Sequence, residues 1–291
     1  MNNATVARLA IARRIAPFYA RNPKVAAVLV AGSVGAGHAD AYSDLELDVF
    51  WSAPPTDDER RAPVEASGGA VKTLHLFEED EWAEELLIDG LKVDTSMFLV
   101  ETIDRYLADA VERLSTARDP QFLIAAIQHS TVLHGEAIVR RWREKAATYP
   151  DDLARKVVAE ALAGPPRWYY APLLAERDDL VFLYELIAAV VRRLLGVLLG
   201  LNRMYLPHPN FKWMDHLIGG MALAPPDLAA RLRAVYTAPP PDAVRLLDAI
   251  IRETLTLVER HMPDVDTGEL RGWFTDRRAT WDPPAGLDQT P

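Results

Sequence analysis

The spacing of apolar residues changes character about a third of the way along the chain. A helix is predicted first, over Ala4 to Ala20, where apolar residues recur with a helical period. After it the apolar runs are short and of strand length, and they cover Val25 to Ala31, Asp44 to Trp51, Ala70 to Phe77 and two strands within Trp82 to Leu99. The last two strands flank Asp89-Gly90, a dipeptide favoured in tight hairpin turns.

From Thr102 onward the apolar residues follow the i, i+3, i+4 spacing of amphipathic helices, and no convincing strand is visible. Prolines separate the helical segments. The predicted helices are Leu107 to Leu114, Gln121 to Leu133, Ala137 to Ala147, Leu153 to Leu162, Val181 to Leu201, Asp227 to Val235 and Asp242 to His261. We therefore predict an α+β fold, with a small mixed β-sheet domain over 1–115 and an α-helical bundle domain over 116–275. A polar tail over 276–291 has the composition of a disordered segment.

Length and composition narrow the class of protein. The 291 residues suffice for two domains with a substantial core, and the absence of cysteine excludes disulfides, thiolate catalysis and cysteine-based zinc sites. No apolar run reaches the roughly 18 residues needed to span a membrane, because Glu185, Arg192 and Arg193 interrupt the best candidate, Leu180 to Leu201. No secretory signal pattern is visible at the N-terminus. We expect a cytoplasmic protein with no membrane partner.

The acidic residues exceed the basic ones, giving a net charge of −10. The excess is concentrated in one run that contains Glu78, Glu79, Asp80, Glu81, Glu84 and Glu85. Such a run is also typical of a solvated surface. If it has a function, it disfavours a nucleic-acid partner and favours a cationic small molecule.

Two carboxylates alternate along the second predicted strand. Asp44 and Glu46 point to one face while Leu45 and Leu47 point to the other, because successive strand residues alternate. Their Cα atoms lie about 6.6 Å apart, so both side chains can reach one ion or a pair of ions about 3.5–4 Å apart. Asp48 shares the face but lies roughly 13 Å from Asp44, so we leave it out of the ligand set.

A Gly-Ser pair ends the strand before these carboxylates. Gly32 permits a sharp turn and lets a phosphate approach without a Cβ in the way. Ser33 offers that phosphate a hydroxyl and a backbone N–H. Each feature alone is weak, since a Gly-Ser pair is usually only a turn, but the order of the features makes the combination more specific.

Gly32-Ser33, a spacer of ten residues and Asp44-Leu45-Glu46-Leu47 together resemble the signature of the DNA polymerase β-type nucleotidyltransferase superfamily. The resemblance implies a small mixed sheet with flanking helices over the first 115 residues or so. It implies transfer of a nucleoside monophosphate from a nucleoside triphosphate, with ATP as our expected co-substrate, to an acceptor hydroxyl. It also implies one or two Mg²⁺ ions held by Asp44, Glu46 and a third carboxylate on a later strand.

Asp94 is the candidate for that third carboxylate, because it lies on the apolar second strand of the predicted hairpin. It can serve as a metal ligand, as the general base for the acceptor hydroxyl, or as both. The alternative is an aspartate that faces solvent on an edge strand. Glu101 is the reserve candidate, although it is predicted at the start of a helix, where the helix dipole favours an acidic residue.

Two basic residues follow the predicted helix Val181 to Leu201. The segment from Leu201 to Trp213 resembles the helical domain of antibiotic-type nucleotidyltransferases, in which a basic residue reaches the triphosphate. The resemblance makes Lys212 the first candidate for nucleotide binding and Arg203 the second, beside Gly32 and Ser33. The alternative is a surface lysine and an arginine that interacts with the helix dipole.

The same segment carries a competing signal. Arg203 and His208 have the Arg-x(4–6)-His spacing of the HEPN ribonucleases. His208, however, lies between two prolines and outside a predicted helix, and the acidic composition is unfavourable for RNA.

The acceptor is expected to be a small molecule, as in the aminoglycoside and lincosamide adenylyltransferases that the architecture resembles. Trp82, Glu81, Glu84 and Glu85 are candidate contacts to a cationic antibiotic. A homodimer is compatible with this expectation. The alternatives are a protein adenylyltransferase and a catalytically silent binding or antitoxin-like module that keeps the fold.

Overall fold

The computed structural model describes residues 1–163 and 167–268, together with Arg271 and Trp281. It has an α+β fold with a six-stranded mixed sheet and a helical C-terminal region, which confirms the predicted fold class. The described residues form two compact units, one of residues 1–153 with 205–209 and one of the described residues within 154–204 and from 210 onward. The predicted tail over 276–291 lies outside the described residues, apart from Trp281.

The sheet belongs to the first unit. Its strands are β1 (Val25–Val30), β2 (Leu45–Trp51), β3 (Ala70–Leu74), β4 (Trp82–Ile88), β5 (Leu91–Leu99) and β6 (Thr131–His134). Their order is β3-β4-β5-β2-β1-β6, in which β2 and β5 are parallel and the other neighbours are antiparallel. Asp89 and Gly90 join β4 to β5 with φ angles of 52° and 79°, the left-handed pair that a type I′ hairpin turn requires.

The helices of this part of the chain lie before, between and after the strands. They are α1 (Asn3–Ala20), α2 (Gly32–Gly35), α3 (Asp57–Ala66), α4 (Val100–Val111), α5 (Arg118–His129), α6 (Glu136–Ala146) and α7 (Asp151–Leu162), the last of which begins at the end of the first unit. Thr56 and Glu59 form a reciprocal capping box at the start of α3, which satisfies two N–H groups there.

The strand alternation of β2 divides the sheet into two faces. Leu45, Leu47, Val49 and Trp51 are fully buried on the core face, which α1 and α3 cover. On the opposite face, helices α4 and α6 cover one end of the sheet, where Phe50 stacks on an aromatic ring of β5 and packs against one of α6. The remaining part of this second face carries Glu46, and we call it the site face.

The sequence prediction of no strand after Thr102 was wrong at β6. Residues Thr131–His134 form a four-residue strand that pairs with β1, so the first unit extends beyond the predicted boundary at residue 115. All four residues are partly buried, and so short a strand has no visible alternation. Gly135 follows with a φ of 81°, and a Cβ there would lie 2.2 Å from the carbonyl oxygen of Ala26, so the turn back from the sheet requires glycine.

The second unit consists of packed helices. After a 3₁₀ turn at Trp168–Tyr170 come α8 (Ala171–Glu176), α9 (Leu180–Leu201), α10 (Met214–Gly219), α11 (Leu228–Thr237) and α12 (Pro240–His261). Gly200 lets α9 approach α7, since a Cβ at this position would lie 2.7 Å from Cγ2 of Val158. Trp168 anchors the 3₁₀ turn by donating from Nε1 to Asp248 of α12 at 2.7 Å. Among the described residues, no helix is long and apolar enough to cross a membrane.

Candidate active site

Three carboxylates lie side by side across the site face. Glu46 of β2 is the register partner of Asp94 of β5, and Asp94 is the partner of Glu85 of β4. The same line continues to Thr73 of β3, whose hydroxyl donates to Glu85 at 3.4 Å. Adjacent strands are about 4.8 Å apart, so these side chains are direct lateral neighbours. We call Glu46, Asp94 and Glu85 the carboxylate row.

Asp44 lies immediately before β2, one step along the chain from Leu45. Its side chain and that of Glu46 are both partly buried, whereas Leu45 and Leu47 between and beyond them are fully buried in the core. The alternation along β2 places Glu46 away from the core, and Asp44 precedes the strand.

Gly32 lies directly against the Glu46 carboxylate. Its φ is +56°, and the N–H of the preceding residue, Ala31, donates to the Glu46 carbonyl at 3.0 Å. A Cβ at position 32 would lie only 2.4 Å from Oε2 of Glu46. Glycine is therefore required twice at this turn, once for the left-handed backbone and once for the close approach to the carboxylate.

Ser33 joins the Gly-Ser turn to the loop that leads into β2. Its hydroxyl donates to the Ser43 hydroxyl at 3.1 Å. Ser43 in turn donates to a carboxylate oxygen of Asp40 at 3.1 Å and accepts from the Asp40 N–H at 2.9 Å. These bonds fix the loop directly before Asp44.

A lysine that the sequence reasoning missed lies in the same region. Lys92 precedes Asp94 by two residues on β5, and its Nζ donates to Oδ2 of Asp94 at 2.9 Å. This hydrogen bond raises the pKa of Lys92, and the nearby charges of Glu85 and Asp44 act in the same direction. The alternation of Lys92 with Asp94 along one strand is the signal that predicts their common face.

Asp48 is a further acidic residue on the site face. It lies two residues after Glu46 on β2, and its register partner on β5 is Ser96. Its side chain is almost fully buried, and Oδ2 has no hydrogen-bond partner among the described residues. Burial raises its pKa well above the usual range, and the charges of Glu46 and Glu81 add to the effect.

The structure contradicts two of the four candidate contacts to a cationic acceptor. Glu84 points to the core face, where Arg60 donates to it from Nε at 2.9 Å, and burial raises the pKa of Glu84 to about 7. Trp82 also packs against the core. Glu85, which is exposed, and Glu81, which hydrogen-bonds Ser96, remain on the site face. Strand alternation explains the error, since Glu84 and Glu85 are consecutive and must point to opposite faces.

The donor set Asp44, Glu46 and Asp94 suits Mg²⁺ by its chemistry, because a hard cation prefers oxygen ligands. In the described part of the chain, however, no group of three or more histidine, aspartate or glutamate side chains is gathered so that it could hold an ion. Lys92 is bound to Asp94, and Asp44 lies outside the hydrogen-bonded part of β2. Among the described residues, the three carboxylates are thus not assembled around one point.

The two predicted nucleotide-binding cations belong to the second unit. Arg203 follows the end of α9, is exposed and has a φ of 52°. Asn202 fixes this helix end by donating to the carbonyls of Leu198 at 2.7 Å and Leu223 at 2.8 Å. Lys212 is exposed just before α10. Their role in holding a triphosphate stays a prediction.

Comparisons with known proteins give two similarities. A family model described as a domain of unknown function (DUF4037) matches residues 117–214. Among solved structures, the chain is similar to a nucleotidyltransferase-like protein from Exiguobacterium sibiricum 255-15, at 12% identity and a TM-score of 0.40, over 86% of this chain and 74% of that one. A search of curated proteins gave no match. The function is therefore argued from the side chains of the carboxylate row and the turn beside it.

Proposed function

We propose that this protein is a nucleotidyltransferase that moves AMP from ATP to a hydroxyl group of a small molecule. The observation that carries the proposal is the direct pairing of Glu46 with Asp94 on parallel strands, with the backbone of Gly32 against the Glu46 carboxylate. Two adjacent carboxylates provide ligands for a divalent cation, and the glycine of the neighbouring turn permits the close approach of the Glu46 carboxylate.

Asp44, Glu46 and Asp94 would hold Mg²⁺, with the metal itself supplying positive charge against the triphosphate. The backbone N–H and hydroxyl of Ser33 would bind a phosphate oxygen. In the transfer, the acceptor oxygen forms a bond to the α-phosphorus, the bond from that phosphorus to the pyrophosphate oxygen breaks, and the acceptor proton passes to Asp94 directly or through water.

The acceptor in this proposal is a cationic small molecule, such as an aminoglycoside-like antibiotic. Its support is the set of acidic side chains that faces the same side as the carboxylate row, namely exposed Glu85 and partly buried Glu81. The net charge of −10 also attracts a cationic acceptor at longer range.

The test is Mg²⁺-dependent release of pyrophosphate from ATP, GTP, CTP and UTP, with and without a panel of aminoglycosides and lincosamides. Asp44→Asn is expected to abolish release. Asp58→Asn, which removes the same charge from an exposed position in the first turn of α3, is the matched control and is expected to keep it. Release that is unchanged in Asp44→Asn would contradict the proposal.

A catalytically silent module is the second candidate. The ion pair between Lys92 and Asp94, together with carboxylates that are not gathered around one point, favours it. The two candidates differ in nucleotide binding. The silent module predicts no Mg²⁺-dependent heat in a calorimetric titration with any of the four triphosphates, whereas the enzyme predicts binding that Asp44→Asn removes.

A further inference from the structure

Lys92 contacts one of the side chains that the proposed function assigns to a metal and lies near a second. Its Nζ lies 2.9 Å from Oδ2 of Asp94. Its register partner on β4 is Leu87, which lies two residues after Glu85 on the same strand. The negative charge of Asp44 also acts on the ammonium group. The Lys92 ammonium thus provides a positive charge beside the carboxylates of neighbouring strands.

This ion pair contributes little to the stability of the fold. Both partners belong to β5, so the pair links no two elements of structure. Both side chains are well exposed, at 54% for Lys92 and 35% for Asp94, and an exposed pair of this kind changes an equilibrium by no more than about fivefold. A divalent cation can therefore displace the ammonium from Asp94 at small cost.

Lys92 lies near the hairpin turn, so its side chain can move into solvent when it is displaced from Asp94. It lies one residue after the start of β5, its backbone is held in the sheet, and its flexible stem ends in solvent on the site face. A lysine ammonium is a mobile point charge that suits phosphate oxygens.

We propose that Lys92 is an internal counterion of the carboxylate row, which holds Asp94 while no metal is bound and moves to the phosphates of the nucleotide when a divalent cation takes Asp94. This inference rests on the proposed function, because it needs a cation and a triphosphate at the row. Lys92 is accordingly a positioning residue before metal binding and a nucleotide-binding residue after it.

The proposal makes two opposite predictions for Lys92→Met in the full-length protein. Without nucleotide, Mn²⁺ binding followed by electron paramagnetic resonance is expected to be about two- to fivefold tighter, because a competing charge is gone. With Mg²⁺ present, calorimetric binding of a non-hydrolysable ATP analogue is expected to be about tenfold weaker, because a phosphate contact is lost. Lys92→Arg keeps the charge and is expected to behave like the wild type in the absence of nucleotide.

Lys145→Met is the matched control. It removes the same charge and a similarly exposed ion pair, in which Lys145 Nζ lies 2.6 Å from a carboxylate oxygen of Glu112, the C-cap residue of α4 in the same unit. Its Mn²⁺ affinity is expected to equal that of the wild type. Thermal unfolding midpoints of all variants are measured to confirm that they are folded.

The outcomes separate the inference from the proposed function. If the wild type binds Mn²⁺ through Asp44 but Lys92→Met binds it no more tightly than Lys145→Met, the inference is overturned and the proposed function stands. If neither the wild type nor Lys92→Met binds Mn²⁺, with or without nucleotide, both are overturned. Binding that appears only in Lys92→Met supports the inference.

Discussion

Replacing Gly32 with alanine perturbs the contact on which the candidate site depends. The new Cβ would lie 2.4 Å from Oε2 and 2.6 Å from Cδ of Glu46, far inside van der Waals contact. The atoms it meets are the end of a side chain, which can rotate away, so the clash displaces the carboxylate and leaves the core of the sheet in place.

The magnitudes of the two effects therefore differ. Alanine at a φ of +56° costs about 1–2 kcal/mol of folding free energy, because its Cβ approaches the following carbonyl. Displacing a metal ligand or positioning group by about 1 Å lowers a rate about 100-fold. We expect a modest loss of stability and a large loss of activity.

The assay combines urea unfolding with Mg²⁺-dependent pyrophosphate release. Gly68→Ala is the matched control, because Gly68 also has a positive φ, +79°, but a Cβ there has no neighbour within 4 Å. Both variants are expected to lose about 1–2 kcal/mol, and only Gly32→Ala to lose activity. Equal activity in the two variants would refute the role of the Gly32–Glu46 contact.

Three further predictions concern the fold. Arg60→Met is expected to lower the free energy of unfolding by about 3–5 kcal/mol, because it leaves the Glu84 carboxylate buried without its partner. A loss below about 1 kcal/mol in urea unfolding would show that Glu84 is neutral in the folded protein. Hydrogen bonds from Lys24, the backbone N–H of Thr56 and Asn22 lower the pKa of Glu59 to about 2. Its carboxylate therefore stabilises the fold above the ordinary pKa of 4.5, and this stabilisation is lost as the pH falls from 4.5 towards 2. Unfolding midpoints of Glu59→Gln are therefore expected to change less with pH across that window than those of the wild type, and an identical pH dependence would contradict the pairing. Trp168→Phe loses its indole hydrogen bond to α12 and is expected to cost about 1–3 kcal/mol in urea unfolding, whereas no change would mean that water replaces the bond.

Local patterns in the sequence predict much of the first unit. The alternation in β2 gives the face of Glu46, and Asp89-Gly90 gives the hairpin turn, because both depend only on neighbouring residues. The same rule applied to β4 would have excluded Glu84 from the site face. The same rule could have placed Lys92 on the face of Asp94, since it precedes Asp94 by two residues on β5.

Pairings between distant strands could not be predicted in this way. β2 and β5 are not consecutive, and the register that sets Glu46 opposite Asp94 depends on how the whole sheet assembles. The strand β6 was missed because four partly buried residues carry no periodic signal. The predicted role of Lys212 depends on tertiary structure in the same sense and remains a prediction.

The most direct test of the carboxylate row is a calorimetric titration of a non-hydrolysable ATP analogue into wild type and Glu46→Gln, with and without Mg²⁺. Glutamine keeps the size of the side chain beside Gly32 and removes its charge, so it changes the chemistry of the row and not its packing. We expect binding that requires Mg²⁺ in the wild type and is lost in Glu46→Gln. Equal binding by the two proteins, or binding that is indifferent to Mg²⁺, would contradict this role of the carboxylate row.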